Sequence, residues 1–128
     1  MAEFPGPEGL VPHAISMSSP ARVRPLSVTV VAMLYMAVGV IGFIYHFREL
    51  LALHADAPLI EITEVLAAIA GFFILRGANW ARWLAIAWMA LHVVISYPEL
   101  PAFPIHCAFL LVIAWILLRP AAGRWFRP

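Results

Sequence analysis

Long apolar runs occupy residues 26–47, 59–75, 80–97 and 103–118, separated by short polar or proline-rich segments. None alternates polar and apolar residues as a half-buried strand does, so the pattern predicts helices. The first run carries no charge, and at about 1.5 Å per residue it covers the roughly 30 Å of a bilayer's hydrocarbon core. Arg76-Gly77 closes the second run, with Gly77 placed as a helix C-cap. Asn79 stands where it would cap the third run, which ends before Pro98, Pro101 and Pro104. The fourth, the shortest, stops at Arg119-Pro120.

Such short connections make consecutive helices antiparallel neighbours. The predicted fold is all-α: a polytopic membrane protein whose residues 26–118 form an up-down-up-down four-helix transmembrane bundle. Residues 1–25 read as a disordered cytoplasmic tail, because Pro5, Pro7, Pro12, Pro20 and Pro25 rule out a continuous helix. Met17, followed by Ser18, Ser19 and Pro20, has the look of a translation start, which would make residues 1–16 a tag or an upstream extension. Residues 119–128 read as a basic, aromatic cytoplasmic tail. Arg22 and Arg24 ahead of the first run, and Ala55-Asp56-Ala57 after it, also fit a cleaved signal peptide; the apolar core is too long for one, and Pro58 would follow the cut.

Composition agrees with a membrane protein. Hydrophobic residues make up 64% and charged residues 12%, against about 45–50% and 25% in soluble domains, and the mean hydropathy is +0.93. The formal charge of +1 leaves no basic surface for nucleic acid. All eight basic residues are arginine, and their placement is informative. Arg22, Arg24, Arg76, Arg82, Arg119, Arg124 and Arg127 fall at one end of the predicted bundle, while Arg48 falls at the other with Glu49, Asp56 and Glu99. The positive-inside rule then puts both termini in the cytoplasm of a multi-pass protein of a bacterial inner or plasma membrane. Trp80, Trp83 and Trp125 on the inner side, with Tyr45 and Tyr97 on the outer side, stand where aromatic belts form. Cys107 is the lone cysteine, so neither an intrachain disulfide nor a Cys-x-x-Cys redox pair is available.

The predicted spans hold few ionisable groups. Glu64, His92 and His106 come out about 4–7 Å to the outer side of the midplane, on three different helices. His46 lies nearer the outer end, and Glu61 sits one turn above Glu64 on the same face, close enough to the interface to be solvated. Tyr35, Gly39, Gly42 and His46 share one helical stripe; Glu61, Glu64, Ala68 and Gly71 share a second; Ala85, Met89, His92 and Ser96 share a third. Small residues in line with polar ones predict that these stripes face the bundle interior.

Ionisable residues at that depth are site candidates by default. His92, His106 and Glu64 are the cofactor-binding candidates, and Glu61, Glu64, His46, His92 and His106 the metal candidates: imidazoles and carboxylates could ligate a transition metal, hold a haem, pass a proton or bind a quinone. No Glu-x-x-His or His-Glu-x-x-His spacing selects one of these, and the cofactor stays unspecified. The structural alternative has Glu64 hydrogen-bonded to His92, His106 or both, holding the helices in register. His13 and His54 read as exposed residues, and Cys107 as a small apolar residue of the fourth helix. At the inner end, Arg76, Trp80, Arg82, Trp83, Arg124 and Trp125 have the pattern of lipid-interface anchors.

In size and topology the layout resembles small bacterial four-helix membrane families such as the DoxX-like proteins, with no shared motif to carry a function across. A small multidrug transporter would need a glutamate in its first helix, and a vitamin K epoxide reductase-like enzyme would need paired cysteines; the chain has neither. No nucleophile elbow or phosphate loop is present. The sequence points away from an enzyme and towards an accessory, assembly or homo-oligomeric membrane component that meets the lipid bilayer and a membrane-protein partner or a second copy. A redox, metal- or haem-binding protein is the alternative, and a small transporter or channel the next.

Overall fold

The computed structural model describes residues 23–52, 57–99 and 101–126, and it has no strand among them. The helices are α1 (Leu26–Leu51), α2 (Ala57–Leu75), α3 (Asn79–Ser96), α4 (Ala102–Leu118) and a short α5 (Pro120–Gly123). The expectations for residues 1–22, His13, His54 and Arg127 lie outside the described residues.

The four long helices follow the four apolar runs. α1 continues past the expected end at Phe47 because no breaker intervenes, and Arg48 in its last turn complements the negative end of the helix dipole. α2 takes in Pro58 in its first turn, where a missing N–H costs nothing. α5, which the apolar pattern did not announce, starts with Pro120 in the same role.

Two helices are long and apolar enough to cross a membrane, over Leu26–Arg48 and Pro58–Leu75. α4 is equally apolar but has 17 residues. Only 28% and 33% of the two spans is buried inside the protein. Leu34, Ile41 and Ile44 of α1, Leu59 and Ile62 of α2, and Leu111 and Trp115 of α4 all point outward.

α1 and α2 make the most extensive contact in the molecule. Glycine permits it. A Cβ at Gly71 would come within 2.5 Å of the Ala32 carbonyl oxygen and 2.8 Å of the Met36 nitrogen, and one at Gly39 within 2.8 Å of the Ala68 Cβ. α3 packs on α2 and on α4, whereas α1 and α4 meet at few positions. Buried apolar side chains concentrate towards the arginine-rich end, where Val28, Val31, Ala32, Ala67, Ala70, Ile74, Ala81, Ala85 and Leu117 interlock.

The same end is closed by polar contacts. Gly77 adopts φ +74°, and the Gly77 and Ala78 N–H groups bond back to the Ile74 and Phe73 carbonyls, each at 3.0 Å. This is the Schellman arrangement, and it bears out Gly77 as the C-cap. The Trp125 indole is a second donor to the Ile74 carbonyl, at 2.9 Å, and Arg24 donates to the Leu75 carbonyl at 3.2 Å, covering one more free acceptor of α2. Arg119 at the end of α4 hydrogen-bonds Ser27 at the start of α1. Asn79 does not cap α3 as expected. The helix begins one residue early, so the N-cap position falls on Ala78 and Asn79 is its first helical residue, with no side chain bonded at the cap.

Candidate functional site

The polar groups in the half away from the arginine-rich end rest on a framework of side chains bonded to main-chain carbonyls. The Tyr35 hydroxyl of α1 donates to the Ala85 carbonyl of α3 at 2.7 Å, and the Trp88 indole of α3 donates to the Thr63 carbonyl of α2 at 2.7 Å. Tyr35 and Trp88 meet edge to face with ring centroids 5.3 Å apart. Together they tie three helices at one level. Neither was singled out by the sequence reading, although Tyr35 lies on the small-residue stripe of α1 and Trp88 precedes His92 by one helical turn.

His92 continues this framework. Its ring lies 3.9 Å from that of Trp88, tilted by 34°, and its Nδ1 is 2.9 Å from the Trp88 carbonyl oxygen. A carbonyl only accepts, so Nδ1 is the donor in this bond. His46 repeats the arrangement on α1, with Nδ1 3.1 Å from the Gly42 carbonyl oxygen. His106 of α4 faces His92 at a centroid separation of 6.2 Å, and its Nδ1 is buried without a partner. The structure thus brings His92 and His106 together, as their depths predicted.

Glu64 lies across the α1–α2 contact. Its carboxyl fills the space beside Gly42, where an added Cβ would come within 2.7 Å of Oε1. One of its oxygens is buried and unbonded. The expected hydrogen bond from Glu64 to His92 or His106 is not formed: the Nδ1 of His92 turns to its own helix, and the glutamate turns towards α1 rather than across to α4. Glu61 also departs from expectation. It is only 5% exposed, and neither carboxyl oxygen has a partner, because the stripe it shares with Glu64 and Gly71 is the one that packs on α1.

Among the described residues, no three His, Cys, Asp or Glu side chains are grouped so as to hold a metal ion. The metal candidates Glu61, Glu64, His46, His92 and His106 therefore share a region without forming a chelating set. Chemically, the region offers imidazole nitrogens and buried carboxyl oxygens without a donor. Cys107 is a half-buried free thiol next in sequence to His106.

The candidates at the arginine-rich end divide in two. Arg76 lies over Phe72 and Trp80 packs on Phe73, with Trp80 and Trp83 about half exposed. Arg82 lies over both Trp83 and Phe126, while Trp125 is half-buried on the α2 terminus and Arg124 is exposed. An open cavity of about 590 Å³ lies here, lined by Phe73, Arg76, Gly77, Ala78, Asn79, Trp80 and Trp83.

Comparison with protein-family models, with curated proteins and with solved structures finds no match.

Proposed function

We propose that this chain is a four-pass membrane protein of a bacterial inner or plasma membrane, an antiparallel four-helix bundle with both termini in the cytoplasm. Its role is non-catalytic: it serves as an accessory, assembly or homo-oligomeric component that meets lipid and partner helices through its outward apolar faces. One observation carries the non-catalytic reading. The interhelical hydrogen bonds of Tyr35 and Trp88, like that of Trp125, end on main-chain carbonyls, so they fix helix positions without engaging the ionisable side chains.

Several features support the membrane reading. The spans of α1 and α2 have the required length and hydropathy. Large apolar side chains cover the outside of α4, which fits lipid or another helix better than water. Arg24, Arg76, Arg82, Arg119 and Arg124 gather at one end, as the positive-inside rule requires of a cytoplasmic face.

A second reading, a redox, metal- or haem-binding protein, is favoured by the unbonded buried atoms of Glu61, Glu64 and His106, since such groups in hydrocarbon call for a partner. An absorption spectrum and a metal analysis of the purified protein separate the two. The non-catalytic reading expects no chromophore and no stoichiometric metal. A haem spectrum or one metal per chain, lost on His92→Ala, would replace it by the second.

A further inference from the structure

We infer that the cavity at the α2–α3 turn is a binding site for the phosphate group of an anionic phospholipid. The inference rests on the membrane reading above. The cavity of about 590 Å³ opens between the end of α2 and the start of α3 and combines a cation, an amide and two indoles: Arg76, Asn79, Trp80 and Trp83. Each has a part in holding a lipid at its headgroup. Arg76 supplies the fork of donors that matches phosphate oxygens. Asn79 offers an amide donor beside it. Trp80 and Trp83 are 49% and 52% exposed, placing amphipathic rings at the depth where headgroup and acyl chain meet.

The charges around the cavity select an anion. Arg24, Arg82, Arg119 and Arg124 stand at the same end of the molecule, and no Asp or Glu among the described residues does; Glu61, Glu64 and Glu99 all belong to the opposite half. Arg24 is committed to the Leu75 carbonyl and Arg119 to Ser27, whereas among the described residues no side-chain hydrogen bond holds Arg76, which rests over the Phe72 ring. Phe72 is itself exposed on the apolar side of α2, so the guanidinium lies on the path an acyl chain would take from headgroup to hydrocarbon. A zwitterionic lipid presents the same phosphate together with a cation that this positive end repels. Phosphatidylglycerol, with a net negative charge, is the favoured class.

The test uses the full chain. Flotation with phosphatidylcholine vesicles comes first, and a chain that fails to float overturns both the membrane reading and this inference. Native mass spectrometry of the detergent-solubilised protein then measures lipid adducts with phosphatidylglycerol, phosphatidylcholine or inorganic phosphate. Phosphatidylglycerol should bind in preference, and Arg76→Gln should weaken that preference about fivefold, the worth of one basic residue at an anionic surface. Arg76→Lys should retain part of it, and Arg48→Gln, at the far end, should leave it unchanged. Millimolar inorganic phosphate should not displace the lipid; if it does, and Arg76→Gln abolishes phosphate binding, the site takes free phosphate instead. Equal binding of the two lipids, or equal effects of Arg76→Gln and Arg48→Gln on a monodisperse protein, would overturn the proposal.

Discussion

Replacing Gly39 by alanine is expected to force α1 and α2 apart. The new methyl group would lie 2.8 Å from the Ala68 Cβ and 2.5 Å from the Glu64 carbonyl oxygen. Carbon atoms attract best at about 3.5–4.0 Å, so the helices must separate locally by roughly 0.7–1 Å, and a gap of that size forfeits about a quarter to a half of the attraction between facing atoms. The obstructing groups are the main chain of α2 and a side chain one carbon long, neither of which can swing aside. Overpacking of this kind costs about 1–3 kcal/mol, and the better helix propensity of alanine returns about 1 kcal/mol at most. The net loss should be about 1–2 kcal/mol, a factor of roughly five to thirty in the folding equilibrium. Gly71→Ala, which meets the Ala32 carbonyl and the Met36 main chain, should behave alike. Gly42→Ala meets only the end of the flexible Glu64 side chain and should cost less than half as much, while Gly123→Ala, with nothing within 4 Å, should stay within about 0.5 kcal/mol. Unfolding by titration with sodium dodecyl sulfate in mixed micelles, followed by circular dichroism, would rank the four. The reasoning fails if Gly39→Ala and Gly71→Ala are as neutral as Gly123→Ala.

Three further substitutions test other contacts by the same titration. Trp125→Phe removes the indole donor from the Ile74 carbonyl and should cost about 1 kcal/mol; an unchanged midpoint would mean that the C-terminal segment does not dock on α2. Gly77→Ala places a side chain at φ +74° against the Trp125 main chain, and a loss of about 1–2 kcal/mol is expected from the left-handed conformation alone. Because the Glu64 carboxyl makes no hydrogen bond among the described residues and one of its oxygens is buried, Glu64→Met should hold or raise stability, and a loss above about 1 kcal/mol would show that the carboxyl is bonded after all.

The helices were legible because an apolar run of sixteen or more residues is a strong signal that breakers such as Pro98 and Pro120 punctuate clearly. Gly77 was legible for the same local reason: a glycine after the last apolar residue of α2 announces a left-handed cap. The level shared by His92 and His106 followed from counting residues along two helices. What depends on rotation of one helix against another was not legible. Burial of Glu61 and the turn of Glu64 towards Gly42 follow from how α2 sits on α1, which a stripe of small residues suggests without fixing the angle. Tyr35 and Trp88 bond to main-chain carbonyls, and a carbonyl leaves no mark in a sequence. An indole flanked by arginines, as Trp125 is, has the same local pattern whether it faces a headgroup or covers a helix end, so its bond to Ile74 could not be read from the C-terminal segment.

The proposed four-pass bundle has both termini on the arginine-rich side, in the cytoplasm. Paired reporter fusions, one after residue 128 and one within the segment 98–101, test it most directly, using a reporter active only in the cytoplasm and another active only outside it. The account predicts a cytoplasmic signal from the fusion after residue 128 and an external signal from the fusion between α3 and α4, because moving the arginines across the bilayer would oppose the charge bias. A cytoplasmic signal from the 98–101 fusion would contradict it.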